Sequence, residues 1–233
     1  MKKVLFLLLA LLIFSGCAQK KEIENNKVEK IDELAYNWNY YSGINDDYMG
    51  TVRFKSGLVD LPFFKGETND TYLRTNWQNM EYDIYGSIFM DSDCDYDSQN
   101  IIIYGHYVDQ AYDPNGENIM FTPLKKLMDE ENYEDNKYIE LVLKDEIRTY
   151  EIVAVYYCPL TEKDGAWYVD AGLIYNEPNY TLNDFNSYKT AVEKAKLYSI
   201  DADFNYEDKL LTLQTCVEGR EDLREIILAK QVN

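Results

Sequence analysis

Lys209-Leu210-Leu211-Thr212-Leu213-Gln214-Thr215-Cys216, the polar stretch Val217 to Leu223, and Arg224-Glu225-Ile226-Ile227-Leu228-Ala229-Lys230-Gln231-Val232 decide how this chain is read. Two β-rich apolar runs joined by a short polar segment containing a glycine are the pattern of an antiparallel hairpin. In such a hairpin Cys216 and Arg224 stand close to opposite one another, with side chains about 5 Å apart when they share a face. A guanidinium there favours the thiolate or holds an oxyanion. Most cysteines in strands are inert buried thiols, so placement at the strand's end is what sets this one apart. Arg220, nearer the tip, is the weaker partner.

Working outward, further short apolar or alternating runs suit strands: 57–64, 84–90, 100–104, 138–143 and 148–157. At least seven strands with mostly short connections indicate a mainly β chain closed into a barrel or sandwich. Two helices interrupt them. Thr122-Pro123 supplies a cap and a first-turn proline ahead of Leu124, Leu127 and Met128, and Thr181 with Asp184 opens a longer helix whose Leu182, Phe185, Tyr188, Val192 and Ala195 fall on one stripe. The second helix lies in the long connection between Tyr157 and Lys209, and connections that long are usually functional.

His106 is the one histidine, placed after Gly105 at the end of the apolar strand 100–104, where an imidazole can face a cleft. The net charge of −19, with no basic stripe, argues against nucleic acid as a partner. Cys17, Cys94, Cys158 and Cys216 lack the paired spacing of a zinc site, and Asp91, Asp93 and Asp95 read as a solvated loop, so no metal or other cofactor is expected. Met1-Lys2-Lys3 and the apolar run Val4 to Phe14 form a secretory leader ending in Ser15-Gly16-Cys17. Residues 1–17 are either a signal peptide with a lipobox-like end, Cys17 taking the lipid, or an uncleaved signal anchor. Residues 18–29 read as a polar linker.

Tyr104-Gly105-His106 and Thr212-Leu213-Gln214-Thr215-Cys216, with Arg224 eight residues on, resemble the sortases. Gly86-Ser87-Ile88-Phe89-Met90-Asp91, Asn69-Asp70-Thr71-Tyr72-Leu73, Met120-Phe121 and the helix-bearing loop 158–208 are similar to class B members. The resemblance implies a sortase domain over residues 30–233: a closed eight-stranded β-barrel, a short N-terminal helical appendage (30–44) and a helix in the long loop before the cysteine strand. It also implies a cysteine transpeptidase that cuts a C-terminal sorting signal of a surface protein through a thioacyl intermediate and passes the acyl group to an amine of the cell wall or of a protein. Carried over by position, Cys216 is the nucleophile, His106 the acid and base, and Arg224 the signal-binding oxyanion stabiliser. Asn69, Leu73, Tyr104, Gln214 and Thr215 fall at groove positions, with Tyr168 and Val169 as looser contacts in the long loop. Val217 stands where class B relatives often carry an acid, and Gln214 where serine is usual. The implied setting is the outer face of the cell membrane in a Gram-positive cell. A non-catalytic or purely hydrolytic lipoprotein on the same barrel, and a pilus-assembling sortase, are the alternatives.

Overall fold

A computed structural model describes residues 34, 37–109, 111, 113–169 and 172–233. The leader, the linker and Cys17 lie outside the described residues. Among those described, no helix is long and apolar enough to cross a membrane.

Among the described residues nine strands follow in chain order: β1 (Tyr48–Phe54), β2 (Asp60–Phe64), β3 (Ile88–Met90), β4 (Asn100–Tyr104), β5 (Tyr138–Val142), β6 (Ile147–Lys163), β7 (Ala166–Val169), β8 (Leu210–Val217) and β9 (Arg220–Gln231). Their spatial order is β5-β1-β2-β3-β4-β8-β9-β6-β7, and a further β5–β6 pairing closes the first eight into a barrel. Closure removes the edges a sheet would otherwise expose. β7 stays outside and pairs with the distal end of β6.

The strand alternation separates an inner core from an outer one. Odd-numbered β8 residues (Leu211, Leu213) join Ile101, Ile103, Val155 and Ile227 inside the barrel. Leu210, Ile226 and Leu228 face outward and are covered by helix α1 (Leu182–Ala195) through Phe185, Tyr188 and Val192. The cap of α1 is as its sequence indicates: Thr181 Oγ1 accepts from the Asp184 amide at 3.2 Å. Helical residues 37–42 dock on the barrel through aromatic rings, Trp38 and Tyr41 lying 5.1 and 4.9 Å from Tyr48.

Three expectations are corrected. The segment Thr122–Met128 is a 3₁₀ helix, not an α-helix. Its buried Leu124 and Leu127 are three residues apart, which suits three residues per turn. Thr122 does not cap it, because its Oγ1 accepts from the Val108 amide at 2.7 Å. Second, β6 runs past Tyr157 to Lys163 and turns back through β7 at Asp164-Gly165, both with positive φ, the Asp-Gly signature of a tight hairpin. Third, β1 has no counterpart in the sequence reading, because Gly50 and a register shift beside it break the alternation.

Candidate active site

The decisive pairing is β4 with β8. They are adjacent and parallel, with Asn100 opposite Leu210 and, at the far end, Tyr104 opposite Gln214. Two residues beyond that last pair stand His106 and Cys216. Parallel neighbours end on the same side of a sheet, and strands lie about 4.8 Å apart. The ladder extends one step further, Gly105 N–H donating to the Gln214 carbonyl at 3.1 Å. From the other side β9 runs antiparallel and sets Arg224 directly opposite Cys216. The hairpin register read from the sequence is the one observed.

These side chains meet in a cleft of about 240 Å³ whose walls include Asn69, Leu73, Tyr104 and Gln214 with His106, Cys216 and Arg224. Cys216 is half-buried there. Cys94 and Cys158 are fully buried and in different cores. Burial pushes the Cys94 thiol up to about 12, which suppresses the thiolate a nucleophile needs.

His106 is oriented by backbone. Its Nε2 lies 2.7 Å from the Leu73 carbonyl oxygen. A carbonyl only accepts, so Nε2 carries the proton and Nδ1 is the basic nitrogen. Burial lowers the imidazole's pKa, the bond to Leu73 opposes that, and the charge of Arg74 adds to the lowering; the net direction is down. The neutral ring therefore predominates at neutral pH. Two glycines permit this arrangement. A Cβ on Gly105 would come within 2.6 Å of the Phe121 ring, and one on Gly86, at φ +58°, would run into the Leu73 and Tyr72 carbonyl oxygens.

Arg224 is held at the mouth by its own strand, Nη1 donating to the carbonyls of Glu221 (2.9 Å) and Leu223 (2.8 Å). Asp91 organises the opposite wall and is no solvated loop residue. It is buried, accepting from the Tyr104 hydroxyl at 2.6 Å and from Asn69 Nδ2 at 3.1 Å, and the Asp93 amide donates to it at 2.9 Å. A carboxylate serving three internal donors holds the groove residues in place.

Beyond Cys216 and Arg224 lies a second, wider cleft of about 720 Å³, lined also by Tyr107, Asp109, Trp167, Glu218 and Glu221. The thiol thus opens to two spaces.

Three expected groove residues lie elsewhere. Thr215 is fully buried on the opposite face of β8 from Gln214 and Cys216. Tyr168 is exposed on β7, and Val169 packs against the outer core. The β7 residue that reaches a cleft is Trp167. Arg220 is engaged by Asp222 at 2.7 and 2.8 Å, as an exposed pair. Asp70, Phe89 and Gly105 also line the first cleft. Sequence reasoning passed over them because Phe89 and Gly105 bear no reactive group and Asp70 is one carboxylate among 42 Asp and Glu residues.

No protein-family model matches the chain. Sortase B of Listeria monocytogenes is 28% identical over 178 residues, covering 74% of this chain and 64% of the relative. The chain thus spans less than two thirds of that relative's length. A mutant form of Clostridium perfringens sortase B superposes with a TM-score of 0.73 at 26% identity, over 89% of this chain and 92% of that one. A Staphylococcus aureus sortase B–substrate complex superposes with a TM-score of 0.70 at 23% identity, over 92% and 98%, a likeness of fold.

Proposed function

We propose, from the premise that this chain belongs to the class B sortases, that it is a cysteine transpeptidase acting on C-terminal sorting signals of surface proteins. The observation that carries the reading is the β4–β8 register. It sets His106 and Cys216 each two residues past the Tyr104–Gln214 pair, while β9 brings Arg224 opposite the thiol.

The chemistry follows from these positions. The Cys216 thiolate attacks the signal's scissile carbonyl, and Arg224, whose backbone bonds aim it at the mouth, stabilises the oxyanion. The C–N bond breaks as His106, in its imidazolium form, protonates the leaving amine, which leaves a thioester on Cys216. Neutral His106 then takes a proton from the incoming amine as that amine attacks the thioester and expels the thiolate. The backbone carbonyl of Leu73 orients His106 and favours its charged form, but less than burial, with the charge of Arg74, disfavours it. Only a minor fraction is then the thiolate–imidazolium pair, and turnover is slow. The narrow cleft, with Asn69, Leu73, Tyr104 and Gln214, suits the acyl donor. The wider one, open to the same sulfur, leaves room for the acceptor amine. Anchorage at the outer membrane face, through a lipid on Cys17 or an uncleaved leader, completes the proposal.

The test is a library of fluorogenic sorting-signal peptides offered with a panel of amines. The proposal predicts cleavage that releases an amine-joined product. Absence of any cleaved peptide, or equal cleavage by Cys216→Ala, would sink it.

A further inference from the structure

The part of the narrow cleft's wall that Asn69 and Tyr104 form is organised from behind. Asp91 is 5% exposed and does not itself line the cleft, whereas both of those residues do. Its backbone is fixed to the barrel, the Asp91 amide donating to the Ile102 carbonyl of β4 at 2.9 Å. One carboxylate oxygen accepts from the Asp93 amide at 2.9 Å. The other accepts from the Tyr104 hydroxyl at 2.6 Å and from Asn69 Nδ2 at 3.1 Å. Asn69 returns the contact, its Oδ1 accepting from the Ser92 amide at 2.8 Å.

These bonds dictate what the cleft is offered. A backbone N–H only donates, so the oxygen of the Asn69 carboxamide faces Ser92 and its nitrogen faces Asp91. That nitrogen carries two hydrogens and spends one on Asp91. The Tyr104 hydroxyl has one hydrogen, also spent on Asp91. Burial, and after it the Asp91 charge, push the pKa of Tyr104 well up and keep that hydrogen in place. What remains for a bound molecule is an N–H donor at Asn69 and a lone-pair acceptor at Tyr104. A carboxylate imposes this pattern because it only accepts, whereas a carboxamide in its place would have to donate from one of its two ends.

We propose that Asp91 is a positioning residue that sets the hydrogen-bond polarity of the acyl-donor cleft, so that its wall takes a peptide segment offering a carbonyl to Asn69 and a hydrogen-bond donor to Tyr104. The inference rests on the narrow cleft being the acyl-donor site of the transpeptidase. The polarity can be inverted without emptying the internal bonds. In the swap Asn69→Asp with Asp91→Asn, the carboxamide at position 91 gives its two hydrogens to the Tyr104 oxygen and to the carboxylate at position 69. The cleft then meets a donor at Tyr104 and an acceptor at position 69. In Asp91→Asn alone the carboxamide meets donors on both sides, and a bond is lost.

The test compares the full chain as wild type, Asp91→Asn and the swap, by thermal unfolding and by the kinetics of a cleaved sorting-signal peptide. With slow turnover, KM reports binding. Asp91→Asn should lower the melting temperature and raise KM about 10-fold, the worth of one hydrogen bond, with the loss in KM rather than kcat. The swap should regain the melting temperature and keep the raised KM, a split that a merely structural Asp91 would not give. A swap that regains both, or an unchanged KM in Asp91→Asn, overturns the proposal. So does a swap that melts no higher than the single variant. If Asp91→Asn does not fold, by circular dichroism, Tyr104→Phe removes the acceptor alone, and an unchanged KM there overturns the proposal instead. Unfolding requires no peptide. A protein that turns over no peptide would refute the transpeptidase, while the swap's melting temperature would still uphold or overturn the bonding of Asp91 on which the polarity depends.

Discussion

Gly86→Ala reaches His106 without touching it. Gly86 has φ +58°, and an added Cβ would collide with the carbonyl oxygens of Leu73 and Tyr72. Those atoms are backbone, and the Tyr72 oxygen is already fastened by the Ser87 amide at 3.0 Å, so relief requires the 72–73 segment to move. Left-handed backbone at alanine costs about 1 kcal/mol, overpacking about 1–3 kcal/mol, and the lost His106–Leu73 bond about 1 kcal/mol. Since these overlap, the expected loss of stability is about 2–4 kcal/mol. Displacing the imidazole's only described anchor by a fraction of an ångström to an ångström should cut turnover by about 10- to 100-fold. Gly57→Ala is the control. Gly57 also has positive φ (+81°), but its Cβ would meet nothing within 4 Å. It should lose about 1 kcal/mol and leave His106 alone. Urea denaturation measures the stabilities. Because His106 is the single histidine, its ring nitrogens give one unambiguous NMR signature of tautomer and titration. Losing the Leu73 bond, which favours the protonated ring, should lower the midpoint further. Equal destabilisation in both variants, with the His106 signature unchanged in Gly86→Ala, would refute the reasoning.

Other outcomes follow from buried groups. In the wild type the His106 titration midpoint should lie below 6.5, and Arg74→Ala should raise it by removing a repelling charge. A depressed histidine also means that stability falls as pH drops below that value, since the unfolded chain then binds the extra proton. Tyr188→Phe leaves the Tyr156 hydroxyl, its partner at 2.9 Å beneath α1, without a bond. Thermal or urea unfolding should register a loss of about 1–3 kcal/mol. Glu140 is buried, which by itself raises its pKa, but bonds from Arg53 (3.0 and 2.8 Å) and Lys55 (3.2 Å) outweigh that and hold it low. Its stabilisation is present above about pH 4.5 and lost as pH falls. Arg53→Met should cost about 2–3 kcal/mol at neutral pH and less in acid, a convergence that urea titrations at the two pH values would detect.

What the sequence made legible were the local features. The β4 bounds, the Thr181 cap and the Cys216–Arg224 register all follow from alternation, capping chemistry and hairpin geometry within some twenty residues. The union of His106 with Cys216 did not, because 110 positions separate them and nothing local says that β4 and β8 are parallel neighbours; the family resemblance supplied what local physics lacked. Thr215 is a different lesson. Consecutive strand residues point to opposite faces, so Gln214 and Thr215 cannot both line the same groove, and position-by-position carry-over missed what the pleat already forbade. Asp91 looked like one of three acids in a turn. Only tertiary contacts, from Tyr104 thirteen residues on and Asn69 twenty-two residues before, make it internal. The β6–β7 hairpin was readable in Asp164-Gly165 but hidden by Pro159, a residue that usually ends a strand.

The account stands on Cys216 forming an acyl-enzyme beside His106 and Arg224, and trapping that species is its most direct test. The chain would be mixed with a cleavable sorting-signal peptide, without acceptor amine, quenched in acid, and its intact and peptide masses recorded. The account predicts an adduct equal in mass to the peptide's N-terminal fragment, on the peptide containing Cys216, discharged by hydroxylamine and absent in Cys216→Ala. Adduct-free protein during demonstrable cleavage, or an adduct on any other residue, would contradict it.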